Sequence, residues 1–182
     1  MITFDFRPEK FLNAVAYLGK RCPGTTKKKI CKLLYFADKE HLLQYGRPIT
    51  GDTYYRLPHG PIPTQGLDLL NGKGSLANLA VRDKFFEIDG WDVRVKRDFE
   101  PPAFSKSELR VLENVCRAYG KLPAHELERL SHEEPAWVKT PENDRIDFAL
   151  FFENCPEAEV AKRIAEGESH DSKLLAPYRA SR

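Results

Sequence analysis

The residues of this chain best equipped for chemistry lie close together. The stretch KLLYFADKEHLLQYGRPITGDTYYRLPHGP, residues 32–61, contains Asp38, His41, Asp52 and His59, and a carboxylate beside a histidine is a common start for general acid–base work. Their spacing argues for other roles. Wound at 3.6 residues per turn, residues 27–45 put Ile30, Leu33, Leu34, Ala37, His41 and Tyr45 on one side. His41 thus falls inside an apolar stripe and reads as a core histidine bonded to a backbone carbonyl or a neighbour. Asp38, at the edge of that stripe, can accept from His41 or from the amides of the GDTYY loop. His59 stands in an HGP sequence that pairs with no recognisable nucleophile. A hydrolase assembled from His59, Asp38 and Asp52 is the one enzymatic reading left, and such constellations are usually structural networks. The chain therefore reads as a binding protein rather than an enzyme.

Metal and cofactor motifs are equally sparse. HELER, starting at His125, has Arg129 where an HExxH zinc site has its second histidine. His125 and His132 can share a helix face, but no third ligand accompanies them. The sequence has no GxSxG, phosphate loop or Gly-rich dinucleotide turn, so neither metal nor cofactor is expected. Cys22, Cys31, Cys116 and Cys155 show no CxxC spacing and read as reduced, buried thiols of a cytosolic protein. A chain of 182 residues with 29 Lys and Arg against 27 Asp and Glu, net charge +2, suits one domain without a global nucleic-acid footprint. MITFDFRPEKF lacks the basic and apolar regions of a leader, and no apolar run approaches membrane-spanning length. A cytoplasmic, soluble protein with no membrane partner is expected.

The elements that must position these residues are mostly helical. Pro8 suits a first helical residue, and Phe11, Leu12, Val15 and Leu18 recur at helical steps up to the Gly19–Gly24 segment. Thr25 or Thr26 caps a second helix that reaches Tyr45, where Gly46 stops it and Pro48 prevents its continuation. TYYRL can form a short strand, and TQGLDLLNG one short helix. Asp89-Gly90 lies between two β-rich runs and predicts a hairpin of the type I′ kind, with strands near 84–88 and 91–97, peripheral to the helices. SKSE, Ser105–Glu108, is a capping box for a helix ending at Gly120. Pro123 opens another helix that PAW breaks, DRIDFALFF makes a short docking helix, and the chain frays from about Gly167. The fold class is mainly α: a compact multi-helix domain with one small β-hairpin.

On the second helix, Lys28, Lys32 and Lys39 oppose the apolar stripe, and Phe36 falls among Lys29, Lys32, Lys39 and Glu40. An aromatic among lysines either lies under another element or belongs to a partner surface.

As a group, KKKICKLLYFADKEHLLQYGRPITGD, HGPIP, LSHEEPAW, KTP and IDFALFF resemble the Panacea domain, the SocA-like antitoxin family that also takes in phage-associated GepA-type proteins. The resemblance spans residues 8–153. Its motif positions fall on Lys32, Leu33, Leu34, Tyr35, Asp38, Gly46, Pro48, Asp52, His59, Gly60, Pro61, His132 and Trp137. The resemblance implies a helical domain at 1–156, followed by a C-terminal helix and polar tail at 157–182. It implies neutralisation of a cognate protein toxin from an adjacent gene, by direct binding or by presentation to a host protease. Partner contacts are expected from Tyr35, Phe36, Tyr54, Tyr55, Arg56 and His59. Asp38, His41, Gly46, Pro48, Asp52, Gly60, Pro61, His132 and Trp137 are expected to be architectural, with the Trp137 indole N–H needing one partner. No additional helix-turn-helix is evident, so nucleic acid is not an expected partner without the toxin. A phage or prophage accessory protein that binds a host protein is the alternative.

Overall fold

Thr26 accepts a hydrogen bond from the Lys29 amide (3.2 Å) and so caps the helix around which the fold is built. The computed structural model describes residues 1–153 and 155–179. The capped helix, α2 (Lys27–Tyr45), ends at Gly46 in the left-handed region (φ +74°), both limits as the sequence implies. It is enclosed by α1 (Pro8–Arg21), α5 (Lys106–Tyr119), α6 (Ala124–His132) and α8 (Glu159–Arg179), all of which pack on it. Lys29, Lys32 and Phe36 are therefore buried along with Leu33, Leu34 and Ala37, and the lysine-bearing side of α2 faces protein. Most of α2 from Lys29 to Asp38 is thus covered, a wider buried face than the single apolar stripe of a surface helix.

The capping box at Ser105 and Glu108 forms as expected and starts α5. Buried Phe148, Phe151 and Phe152 come from a 3-10 helix, Phe148–Phe152. Tyr35 meets Tyr54 at 5.4 Å and Phe151 at 5.5 Å between ring centroids, which docks that segment on α2. α8 buries Ala161, Ala165 and Ser169 against the same core and runs through Gly167 to Arg179. The fraying expected from Gly167 is thus replaced by a continuing helix, whose Ser169 hydroxyl accepts from the Thr3 amide (2.9 Å).

Two small hairpins complete the fold where the sequence suggests one. The first joins β1 (Tyr54–Leu57) to β2 (Gly60–Pro63) through Pro58 and His59. Pro61 and Pro63 face Arg56 and Tyr54 in this register. Arg56 and Tyr54 turn their backbone groups the other way, to Asn143, Asp144 and Ile146 (each 2.9 Å), so the ladder loses nothing where proline has no N–H. The same three bonds cover the outer edge of β1. β2 leads into α3 (Thr64–Leu70), and α4 (Leu76–Phe85) precedes β3 (Phe86–Asp89) and β4 (Asp92–Val95). Residues 84 and 85, expected in the strand, close α4 instead. Ser75 caps that helix by accepting from Asn78 N (3.2 Å). α6 is followed by α7 (Pro135–Lys139), for which Pro135 is the first residue and not only a break.

In the β3–β4 hairpin the two connecting residues are Gly90 and Trp91. Gly90 has φ +60° and Trp91 is not among the positive-φ residues, the pattern of a type II′ turn rather than I′. Nothing lies within 4 Å of a Cβ built on Gly90, so a substitution there meets backbone strain alone. Gly90→Val should lower stability by about 1–2 kcal/mol and the thermal midpoint by a few degrees, and Gly90→Asn, which tolerates positive φ, should cost less. Equal midpoints for wild type and Gly90→Val in a thermal melt would refute this turn.

Candidate partner-binding site

The motif residues assemble into an inner network and a tip that rests on it. Asp38 on α2 accepts from the Thr50 amide (2.8 Å), the Thr50 hydroxyl and the Tyr54 hydroxyl (2.8 Å). Asp52 accepts from Thr53 N (2.7 Å), Gln65 N (3.1 Å) and Gly66 N (2.6 Å), tying the loop to the start of α3. Burial pushes both carboxyls above their ordinary range, and these hydrogen bonds oppose it. His41 faces the Arg47 carbonyl with Nδ1 (2.6 Å); a carbonyl can only accept, so Nδ1 carries the proton and Nε2 accepts from Ser107 Oγ (3.2 Å). Asp38 does not bond His41. Pro48, buried beyond the Gly46 stop, gives its carbonyl to Arg7 (3.3 Å).

Lys32, in the middle of α2, has no solvent exposure and donates to the Pro61 carbonyl (2.9 Å). The hairpin can approach this amine because Gly60 has φ +88° and no side chain. A Cβ at Gly60 would stand 2.6 Å from Ser131 Oγ and 2.7 Å from Lys32 Nζ. At the turn, Glu128 of α6 receives Lys28 of α2 and His59 Nδ1 (3.1 Å). Burial would raise the Glu128 carboxyl, but the Lys28 and His59 hydrogen bonds hold it below its ordinary value. The tip is therefore fastened to α2 by one buried lysine and to α6 by a shared carboxylate.

The outer face beside this tip is aromatic and cationic. His132 stacks on Trp137 at 4.2 Å, and the Arg56 guanidinium lies 4.4 Å from the centre of the Trp137 ring. Arg56 also donates to the Thr140 carbonyl (2.5 Å). The buried Trp137 indole N–H and His132 Nε2 have no hydrogen-bond partner, contrary to the expectation for Trp137. Burial depresses the His132 pKa. A cavity of about 220 Å³ opens here, lined by Arg56, Leu57, Pro58, Trp137, Glu142 and Asn143.

Of the six expected contact residues, Tyr35, Phe36 and Tyr54 are buried and offer a partner no surface in this structure. Phe36 stacks on Tyr119 of α5 at 4.6 Å, so the aromatic among lysines is a core residue. Tyr55 and Arg56 are half-buried and His59 is 73% exposed. His59, Asp38 and Asp52 are not brought together: His59 bonds Glu128, and both aspartates are occupied by loop groups. His125, also exposed, pairs with Glu126 (3.8 Å). Among the described residues no three His, Cys, Asp or Glu side chains group as metal ligands. Sequence reasoning missed Lys32 and Glu128 as the fasteners of the tip. The glycine of HGP, which lets a backbone approach closely, is the one local signal that could have pointed to Lys32, and none marks Glu128.

A family model described as antitoxin SocA-like, Panacea domain, matches residues 30–138, more than half of the chain and all of the network and tip just described apart from Arg7, Lys28 and the 140–146 edge. Comparison with curated proteins and with solved structures gave no match.

Burial pushes the Lys32 amine down to about 8 from an ordinary 10.5. Between those values the unfolded chain holds a proton that the folded chain has released, so wild-type stability should rise with pH across that window relative to Lys32→Met. Urea denaturation of both proteins at about pH 7 and pH 10.5 should show their difference moving in favour of wild type by about 3 kcal/mol. A difference that stays constant would mean that Lys32 keeps its charge in the fold.

Proposed function

The chain belongs to the SocA-like antitoxin family of Panacea domains, and on that premise we propose that it is a cytoplasmic antitoxin that neutralises a protein toxin from an adjacent gene by direct binding. The contact face in this proposal is the β1–β2 tip with α7 and residues 140–143. The observation that carries it is the division of labour in the matched segment. Asp38, His41 and Asp52 are spent on holding loops, whereas Pro58, His59 and Val138 are turned outward on a support pinned from beneath by Lys32.

A protein partner suits this face. Arg and Trp are the residues that most often dominate interfaces, and here Arg56 and Trp137 form one wall of a cavity large enough for a partner's side chain. The tip is already ordered by its bonds to α2 and α6, so little freedom remains to be lost on binding. Charges of both signs border the cavity, Arg56 and Glu142, which favours a polypeptide over a phosphate backbone. Binding alone accounts for neutralisation in this reading, and delivery to a host protease is not required.

The test is growth on induction of the neighbouring gene, with and without this chain, together with co-purification of the two products. Pro58→Glu and Val138→Asp, at two outward positions that hold nothing in place, should remain folded by circular dichroism, yet reduce toxin capture at least tenfold and abolish rescue. Phe36→Glu should fail to fold. Full rescue by both tip variants would place the interface elsewhere. A neighbouring product that is harmless alone, with no other toxic gene adjacent, would overturn the antitoxin reading itself.

A further inference from the structure

Cys22 and Cys116 are 94 positions apart in the chain, yet their sulfurs stand 3.3 Å from each other. Cys22 is the residue that ends α1, with its amide bonded to Leu18 O (2.8 Å). Cys116 lies in the last turn of α5, where its carbonyl receives the Gly120 amide (2.9 Å). Lys29 of α2 closes the same junction by donating to Pro23 O (2.6 Å) and Gly120 O (2.8 Å). The ends of three helices thus converge on two facing thiols. Cys22 is buried, whereas Cys116 is half-buried.

We propose that Cys22 and Cys116 are an oxidation site, a dithiol that hydrogen peroxide converts to a reversible intramolecular disulfide joining α1 to α5. This proposal stands apart from the antitoxin reading. In the first step one sulfur, as thiolate, attacks a peroxide oxygen; the O–O bond breaks, hydroxide leaves and a sulfenic acid forms. In the second, the other sulfur attacks the sulfenic sulfur as its own proton departs; the S–O bond breaks and the oxygen leaves as water. Two thiols and one peroxide give one disulfide and two waters, with the peroxide taking both electrons.

The surroundings favour this pair over the other cysteines. The Cys116 hydrogen bond, against the opposing effect of burial, draws the Cys22 thiol below its usual pKa, and the charges of Lys29 and Arg21 add to it. Cys31 is buried and pushed up to about 12, chiefly by that burial, which keeps it protonated and inert. Bringing the sulfurs from contact to bonding distance, about 2.0 Å, requires a movement of little more than an ångström.

The experiment uses the full reduced chain treated with hydrogen peroxide. Intact mass should fall by two hydrogens, a peptide map should join Cys22 to Cys116, and dithiothreitol should restore both thiols. Because the bond closes a long loop, the oxidised protein should melt roughly 10 °C higher. Cys22→Ser and Cys116→Ser should each lose the two-hydrogen change and leave a sulfenic acid that dimedone traps, whereas Cys155→Ser should behave as wild type. Thiols that persist in peroxide, a crosslink to Cys31 or Cys155, intermolecular dimers, or oxidation to sulfinic acid without a crosslink would each overturn the proposal, and the wild-type map alone decides it even if a serine variant does not fold.

Discussion

A helix packed on by four others has little solvated surface on which to put a charge, and α2 buries three, Lys29, Lys32 and Asp38. Each must find a partner within the protein or be expelled, because an unpaired buried charge costs several kcal/mol. Lys29 and Lys32 are satisfied by backbone carbonyls of Pro23, Gly120 and Pro61. Lys28 and Lys39 reach Glu128 and Glu134, and Asp38 collects Thr50 and Tyr54. Every one of these partners lies outside α2. The requirement that α2 be neutralised therefore also dictates where the α1–α2 turn, the end of α5, the first hairpin and α6 must lie.

This arrangement explains how a four-residue strand pair with two prolines in one strand holds its place. An isolated hairpin of that length is marginal in water. Here its carbonyl at Pro61 meets a buried amine, its outer edge is paired by residues 143–146, and His59 shares Glu128 with Lys28. Gly60 makes the approach possible, since any Cβ would collide with the Lys32 amine and the Ser131 hydroxyl. The tip is stiff chiefly because of what lies beneath it, and of its outer side chains His59 adds one bond, to Glu128.

The sequence was most legible where a local rule had a single outcome. The caps at Thr26 and Ser105 and the stop at Gly46 arise from neighbouring residues, as does the β3–β4 hairpin, although Gly90-Trp91 and not Asp89-Gly90 makes its turn. It was least legible where distant groups decide. The helical wheel put Phe36 among lysines because lysine usually marks solvent, but carbonyls from three loops let two of those lysines enter the interior. The first hairpin is hidden because Pro58-His59 is none of the turn pairs that announce one, and its strand pairing is rescued by an edge contributed some ninety residues later. The candidate site was half visible: Pro48, Asp52, Gly60 and Pro61 could be recognised as architectural, whereas the role of Lys32 needed the position of Pro61, and the thiol pair needed a contact across 94 residues.

The inner network and the outer surface of the tip differ in what a substitution would disturb. Asp38, Asp52 and Lys32 hold the loops by bonds to backbone groups and to two hydroxyls, so the network depends little on which side chains the loops display. Pro58 and Val138 form no side-chain hydrogen bond within the protein, and His59 forms one, to a carboxylate that Lys28 also neutralises. Changes at Pro58 and Val138 alter the chemistry presented to a partner while the bonds that position the tip remain. Changes in the inner set leave a charge or a carbonyl unpaired in the core and are felt throughout the fold. Pro58 and Val138 can therefore vary at small cost in stability, whereas His59 and Arg56 both face outward and hold the tip, through Glu128 and through residues 140–144.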